Sequence, residues 1–300
     1  MLDHSQPDLD GPRRIAVAIG YRMLGTLDDA EDIAQEAISR LANEVPPPNN
    51  PEAWVTTVAT RLSIDVLRSA RVRRETYVGP WLPEPLLEDP LPGPADQAEL
   101  ADTLSAALLV ALERLTPVER AAFLLREVFD YDYAQIAPVI DRTEANSRQL
   151  VTRARKHLEA GRPRFDPDAK ARDRLFTEFL AAIQEGDLQG LESMLADDVT
   201  LHADGGGKVF AALRPVHGLA DVARFLVHTA RYGAKLAKTP LQAEVRHLNG
   251  QPGQILRELG GEPFLTLSVD VTDGRISGVW VVRNPDKLRR LRREDGDAAD

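Results

Sequence analysis

The sequence predicts a multidomain protein in which two all-α helical domains are followed by a C-terminal α+β domain. Three observations carry that expectation. Apolar residues recur at helical spacing over residues 1–78 and again over 101–162, whereas strand-like runs begin only near residue 199. A proline-rich, acidic linker over 79–100 separates the two helical segments, and the third domain is expected over 163–300. With 300 residues, the chain is long enough for two or three separate cores.

Composition narrows the function classes. The chain has no cysteine, which excludes disulfides and thiolate metal sites, and no metal ion or cofactor is expected. No apolar run approaches about 18 residues, and the acidic start from Met1 to Gly11 has no apolar signal region. A cytoplasmic protein without membrane attachment is therefore expected. The formal net charge of −10 opposes nucleic-acid binding, but the charges are segregated. Arg61, Arg68, Arg71, Arg73 and Arg74 form one basic block, and Arg142, Arg148, Arg153, Arg155, Lys156, Arg162 and Arg164 form another. The acids gather at Asp28 to Glu36, at Glu84 to Glu99 and at the C-terminus. Two basic readers joined by an acidic spacer suit a protein that grips DNA at two places and relies on a larger partner for the rest of its affinity.

In the first domain, Ile15, Val17, Ala18 and Tyr21 begin a helix. Ala30, Ile33, Ala34, Ala37, Ile38 and Leu41 mark a second, leaving Asp28, Asp29, Asp32 and Glu36 outside near the positive end of its dipole. Such an acidic start either compensates the dipole or presents a docking surface to a basic partner. Val45-Pro46-Pro47-Pro48-Asn49-Asn50-Pro51 is expected to be a stiff loop, because proline lacks the N–H of the helical ladder. The next helix is expected to bury Trp54, Val58, Leu62, Ile64, Val66 and Leu67 and to turn Arg61, Asp65, Arg68 and Arg71 outward. A stiff loop bearing Asn49 and Asn50 beside an arginine-edged helix suits capture of an unstacked base.

The second domain has the outline of a helix-turn-helix. Thr116-Pro117-Val118-Glu119 reads as a capping box with proline at the first helical position, ahead of Ala121, Ala122, Leu124, Leu125 and Val128. Asp132 to Ala137 forms a scaffold helix, which Pro138 is expected to kink or stop early. From Thr143 to Leu158 the spacing places Leu150, Val151, Ala154 and Leu158 on one face and leaves Arg148, Gln149, Thr152, Arg153 and Lys156 away from it. These side-chain types pair with phosphates or read base edges.

Within the linker, Trp81-Leu82-Pro83 is expected to dock on another domain, since a tryptophan normally seeks a pocket. Helices are expected over Asp168 to Glu185, Leu188 to Leu195 and Gly218 to Tyr232. Strands are expected at Val199 to Ala203, Val209 to Leu213, Leu241 to Leu248, Gln254 to Leu259, Phe264 to Val271 and Ile276 to Val282, in an antiparallel sheet. Thr272-Asp273-Gly274-Arg275 reads as the hairpin turn between the last two. His202, Asp204, His217, Arg231, Tyr232 and Trp280 are the available acid/base candidates, yet no spacing unites them. In Asp204-Gly205-Gly206-Gly207-Lys208 the glycines permit close approach, and the flanking opposite charges are expected to bond across the turn.

Asp28-Asp29-Ala30-Glu31-Asp32-Ile33-Ala34-Gln35-Glu36, Pro51-Glu52-Ala53-Trp54, Arg61 to Arg68 and the helix-turn-helix together resemble regions 2 and 4 of an extracytoplasmic-function (ECF) RNA polymerase sigma factor. The resemblance implies that Asp28, Asp29, Asp32, Gln35 and Glu36 dock on core RNA polymerase. It also implies that Asn49, Asn50, Arg61, Asp65, Arg68 and Arg71 take the minus 10 promoter element, and that Arg148, Gln149, Thr152, Arg153 and Lys156 take the minus 35 element. The C-terminal domain resembles the SnoaL-like (NTF2-like) cone-shaped fold. Trp81-Leu82-Pro83-Glu84-Pro85, Asp204 to Lys208 and Asn284-Pro285-Asp286-Lys287-Leu288 resemble the signatures of the sigma subgroup with a fused SnoaL-like extension. In that subgroup the extension regulates the sigma module in cis, which implies a non-enzymatic protein that needs no separate anti-sigma factor. Trp81, Leu82, Pro83, Asp204, Gly205, Gly206, Gly207, Lys208, Asn284, Pro285 and Asp286 are then interdomain regulatory residues. The alternative is a bifunctional protein whose C-terminal domain senses a small molecule or acts as an isomerase- or cyclase-like enzyme.

Overall fold

The computed structural model describes residues 9–75, 77–87, 89, 103–159 and 168–292, with the side chains at 70–75, 159 and 234 outside that description. Arg71, Arg73 and Arg74, as well as Arg162 and Arg164, therefore lie outside the described side chains. The described residues fall into two compact units, one built from residues up to 75, Asp89 and 112–159, the other from 77–87, 103–111 and 168–292. Among the described residues, no helix is long and apolar enough to cross a membrane.

The first unit begins with α1 (Asp10–Leu24), α2 (Leu27–Asn43) and α3 (Pro51–Glu75), packed on one another. Ala30, Ile33, Ala34, Ala37 and Leu41 form the buried stripe of α2, while Asp28, Asp29, Asp32, Gln35 and Glu36 are all exposed. In α3 the buried stripe is shifted from the expected one. Val55, Ala59, Ile64 and Leu67 are buried, whereas Trp54, Val58, Leu62 and Val66 are only half-buried. The reason is that Thr56 and Ser63 can enter the core, because their hydroxyls donate to the carbonyls of Glu52 and Ala59 one turn earlier.

Within the same unit α5 (Pro117–Glu127), α6 (Tyr133–Val139) and α7 (Glu144–Glu159) form the helix-turn-helix. Thr116 and Glu119 close the expected capping box, and Asp132 with Gln135 closes a second at the start of α6. The early stop expected at Pro138 is corrected: α6 runs through the proline to Val139, so Pro138 sits inside the last turn. A buried arginine joins the two parts of this unit. Arg120 of α5 is nearly inaccessible, and its guanidinium donates to the carbonyls of Leu112 at 3.1 Å and Met23 at 2.6 Å.

The second unit is α+β. Its helices are α8 (Ala169–Glu185), α9 (Leu188–Met194) and α10 (Leu219–Gly233), with a short α11 (Pro285–Leu288) near the end. Six strands, β1 (Leu195–Asp204), β2 (Val216–His217), β3 (Leu241–Leu248), β4 (Gln251–Glu258), β5 (Pro263–Thr272) and β6 (Arg275–Val282), stand in the order β2-β1-β6-β5-β4-β3. The expected all-antiparallel sheet is corrected: β1 runs parallel to β6, so the sheet is mixed. The expected strand at Val209 to Leu213 is a loop, because the edge of β1 is taken instead by Val216 and His217 and leaves that segment no ladder partner. Asp273 and Gly274, both at positive φ, form the expected hairpin turn.

Successive residues of a strand face opposite sides, and the sheet uses both. On one side Val199, Leu201, Val269, Val271 and Val279 pack with Phe176, Phe179, Leu191, Val222 and Leu226 from the helices. On the other, Leu248, Ile255, Trp280 and Val282 are covered by Leu82 of the linker, by Leu288 and Leu291, and by Ala106, Ala107 and Val110 of α4 (Ala106–Leu112). The chain just after α3 and the first turns of α4 are thus both built into this second core.

Candidate nucleic-acid interface and linker anchor

The face of α7 that the spacing turned inward is inside: Leu150, Val151, Ala154 and Leu158 are all buried. The opposite face exposes Arg148, Gln149, Thr152, Arg153 and Lys156. With Glu144 and Ala145, four of these line an open hollow of about 820 Å³. Its arginines are partnered but accessible. Arg148 Nη2 donates to Glu144 at 2.9 Å, Arg153 lies 3.8 Å from Glu119, and Arg155 Nη2 donates to Glu127 at 2.6 Å. The Arg148–Glu144 pair is exposed on both sides and worth little, so a phosphate or base edge can displace it at small cost, whereas the partners of Arg153 and Arg155 are buried and half-buried.

The candidates on α3 and its preceding loop are arranged differently. Asn49 and Asn50 are exposed, and Asn50 Oδ1 accepts from the Ala53 N–H at 3.0 Å, so Asn50 also caps α3. Asp65 and Arg68 pair with each other at the surface at 3.3 Å. Arg61 is engaged elsewhere. Its Nε donates to the Val139 carbonyl at 3.0 Å and its Nη2 to the Pro138 carbonyl at 2.6 Å, so it caps the C-terminal end of α6, where the helix dipole favours a cation.

The three motifs of the linker and C-terminal unit converge on one carboxylate. Asp204 is fully buried at the end of β1 and receives donors from all sides. Its Oδ1 accepts from the Tyr77 hydroxyl at 2.5 Å and the Gly206 N–H at 2.9 Å; its Oδ2 accepts from the Leu82 N–H at 3.0 Å and Lys287 Nζ at 2.7 Å. Lys287 Nζ also donates to the Leu82 carbonyl and lies over the rings of Trp81, at 4.5 Å, and Tyr77, at 5.1 Å. Burial and the neighbouring Asp204 carboxylate push the Tyr77 phenol well above its ordinary pKa. Asn284 caps α11 through its Oδ1, while its Nδ2 donates to the Tyr77 hydroxyl at 2.9 Å.

The charges that flank the glycines do not bond across the turn as expected. Asp204 pairs with Lys287 and Lys208 with Asp286, so both cross to the Asn284-to-Leu288 segment. Pro285 directly precedes these partners, at the first position of α11. Gly206 and Gly207, at φ +61° and +69°, have no room for a side chain: a Cβ would lie 2.4 Å from Asn284 and 3.0 Å from Val78.

Sequence reasoning missed two further anchors. Asn249, in the β3–β4 turn, receives the Leu86 N–H on its Oδ1 at 3.1 Å and donates its own N–H to the Leu86 carbonyl at 2.8 Å. Asn249-Gly250 is a hairpin signal that could have placed the turn, though not its grip on the linker. Arg22, buried in α1, donates to Asp89 at 3.0 Å, and burial lowers its pKa. No pattern in the sequence marks that pair. Of the acid/base candidates, His202 and Trp280 stack on each other at 4.8 Å, Asp204 belongs to the anchor, and His217 and Tyr232 are exposed on β2 and α10.

The Sigma-70 region 2 model matches residues 13–73 and the Sigma-70, region 4 model matches residues 105–158. The ECF RNA polymerase sigma factor SigJ of Mycobacterium tuberculosis (strain H37Rv) is 38% identical over 297 residues, covering 94% of this chain and 92% of that protein. The probable ECF RNA polymerase sigma factor SigI of Mycobacterium tuberculosis (strain CDC 1551 / Oshkosh) is 32% identical over 292 residues, covering 95% and 94%. The crystal structure of Mycobacterium tuberculosis SigJ superposes with a TM-score of 0.74 at 33% identity, over 94% of this chain and 97% of that one. A likeness at this level that runs through both helical segments and the C-terminal unit shows that the chain belongs to the ECF RNA polymerase sigma factors.

Proposed function

We propose that this sigma factor docks on core RNA polymerase through the acidic face of α2, reads the minus 10 element with α3 and its preceding loop, and reads the minus 35 element with α7. The observation that carries the reading is the sorting of α7, whose apolar stripe is buried while Arg148, Gln149, Thr152, Arg153 and Lys156 face outward. The C-terminal unit regulates the sigma module in cis. It grips the chain directly after α3, through Tyr77, Leu82 and Leu86, and it includes the first turns of α4, where the region 4 match begins. A unit that holds both points controls how much chain is free between the two readers, with no separate anti-sigma factor needed.

The rival reading, an isomerase-like or sensing C-terminal domain, finds no support in the acid/base candidates. Asp204, the one buried carboxylate among them, has its oxygens occupied by Tyr77, Gly206, Leu82 and Lys287. The test is transcription in vitro with core polymerase from a promoter the sigma factor recognises, comparing the natural chain with Asn284→Ala. Promoter output is expected to change while co-purification with core polymerase is retained. Unchanged output would overturn the cis-regulatory part, and loss of all promoter-specific output by Arg148→Ala, Arg153→Ala is the expected control on α7.

A further inference from the structure

Arg148 is held by more than Glu144. Its guanidinium carbon lies 4.9 Å from the ring centroid of Tyr133, and Arg126 of α5 lies 5.4 Å from the same centroid. Tyr133 is the first residue of α6, directly after the Asp132 cap, and is half-buried. The ring therefore sits on a backbone pinned by the reciprocal Asp132–Gln135 hydrogen bonds of 2.7 and 2.9 Å. Arg126 is tied down too, donating to the Tyr131 carbonyl at 2.9 Å. Arginine has many rotamers in solution, and ordering it on a base costs binding free energy that a pre-set guanidinium plane avoids. A fixed aromatic ring beneath one face and a carboxylate at one edge leave the remaining N–H groups to be presented in a set direction.

We propose that Tyr133 is a specificity-determining positioning residue: its ring holds the Arg148 guanidinium in the orientation that reads a base, so Tyr133 sets discrimination at one base pair through Arg148. This rests on α7 being the base-reading helix. Of the base-reading candidates, Arg148 is the one whose guanidinium lies over the Tyr133 ring, so the effect belongs to the base that Arg148 reads. Arg153 is steadied from a different element, through Glu119 at 3.8 Å, and is untouched by changes at Tyr133.

The test uses the full-length chain reconstituted with core polymerase and a promoter library randomised across the upstream element. Transcripts are sequenced for Tyr133→Phe, Tyr133→Leu, Tyr133→Gln and Arg148→Ala. Tyr133→Phe is expected to keep the natural preference. Tyr133→Leu and Tyr133→Gln are expected to lose about two- to five-fold of the discrimination, at the single position that Arg148→Ala relaxes, with unchanged salt dependence. Combining Tyr133→Leu with Arg148→Ala is expected to relax that position no further than Arg148→Ala alone. The proposal is overturned if the Tyr133 variants lower output uniformly over all sequences with a shallower salt slope, which marks a phosphate contact, or relax a different position. If Arg148→Ala relaxes no position, the assignment of α7 fails instead. Melting curves identify a variant that fails to fold, in which case the other Tyr133 replacement decides.

Discussion

Two charge networks in this sigma factor bring opposite charges together to different ends. Around Asp204 the charges are buried: Lys287, the half-buried Tyr77 and the Leu82 backbone bind one carboxylate at the centre of the linker anchor, and Asn284 holds Tyr77. Along α7 the cations are exposed: Arg148 with the exposed Glu144 and Arg155 with the half-buried Glu127 lie where solvent and ligand reach the guanidinium groups. Burial makes the first network a fixed joint, because a charge stripped of water cannot lose its partner cheaply. Exposure makes the second a set of charges whose partners can be exchanged for those of DNA. Arg61 stands between them, on the surface yet tied to the Pro138 and Val139 carbonyls.

The largest expected effect breaks the fixed joint. Lys287→Met leaves Asp204 buried without its cation and is expected to lower the stability of the C-terminal unit by about 3–5 kcal/mol, measured by denaturant unfolding. Amide exchange should rise at Leu82 in the same variant. A loss within 1 kcal/mol would erase the distinction between the networks, on the scale expected of an exposed pair.

Replacing Arg148 and Arg153 by Ala tests the other side. Promoter binding by the holoenzyme is expected to weaken by about 1–3 kcal/mol per lost base contact, while unfolding stability stays within about 0.5 kcal/mol. A large stability loss with unchanged promoter binding would make α7 a structural helix. Arg61→Ala sharpens the intermediate case. It is expected to cost the helical unit about 1 kcal/mol, through its hydrogen bonds to the end of α6, and to reduce promoter opening measured with permanganate footprinting. Normal opening with the same stability loss would confine Arg61 to holding α6.

The smallest effect concerns pH. The Tyr77 phenol has a raised pKa in the folded protein, so between its unfolded and folded values the unfolded chain has lost a proton that the folded chain keeps. Its contribution is full below about pH 10 and declines as pH rises towards the folded value. Melting temperatures taken from pH 8 upward are expected to fall less steeply for Tyr77→Phe than for the natural chain. Parallel curves would mean that the phenol takes no part in the anchor.

Much of this was legible because it depends on local spacing. The Leu150, Val151, Ala154 and Leu158 stripe and the Thr116 capping box follow from helix geometry within a few residues. The expected stripe of α3 failed for a local reason that spacing does not encode: Thr56 and Ser63 satisfy their hydroxyls on the helix itself and enter the core. The sheet failed for a distant one. The parallel pairing of β1 with β6 joins residues 78 apart in the chain, such as Leu201 and Val279, and no hairpin signal reports such a contact.

By itself, the amino-acid sequence determined which residues could carry the chemistry: segregated arginines, an acidic helix face, a proline-rich linker and three short motifs, two of them with opposite charges. Only the tertiary structure decided how those charges pair. Asp204 and Lys208, four residues apart, pass over each other for Lys287 and Asp286, and Arg61 turns from the solvent side of its own helix to the end of α6. The physical reason is that charge partners are chosen by distance and burial after the chain has packed, whereas helix faces are chosen by periods of three and four residues before it does.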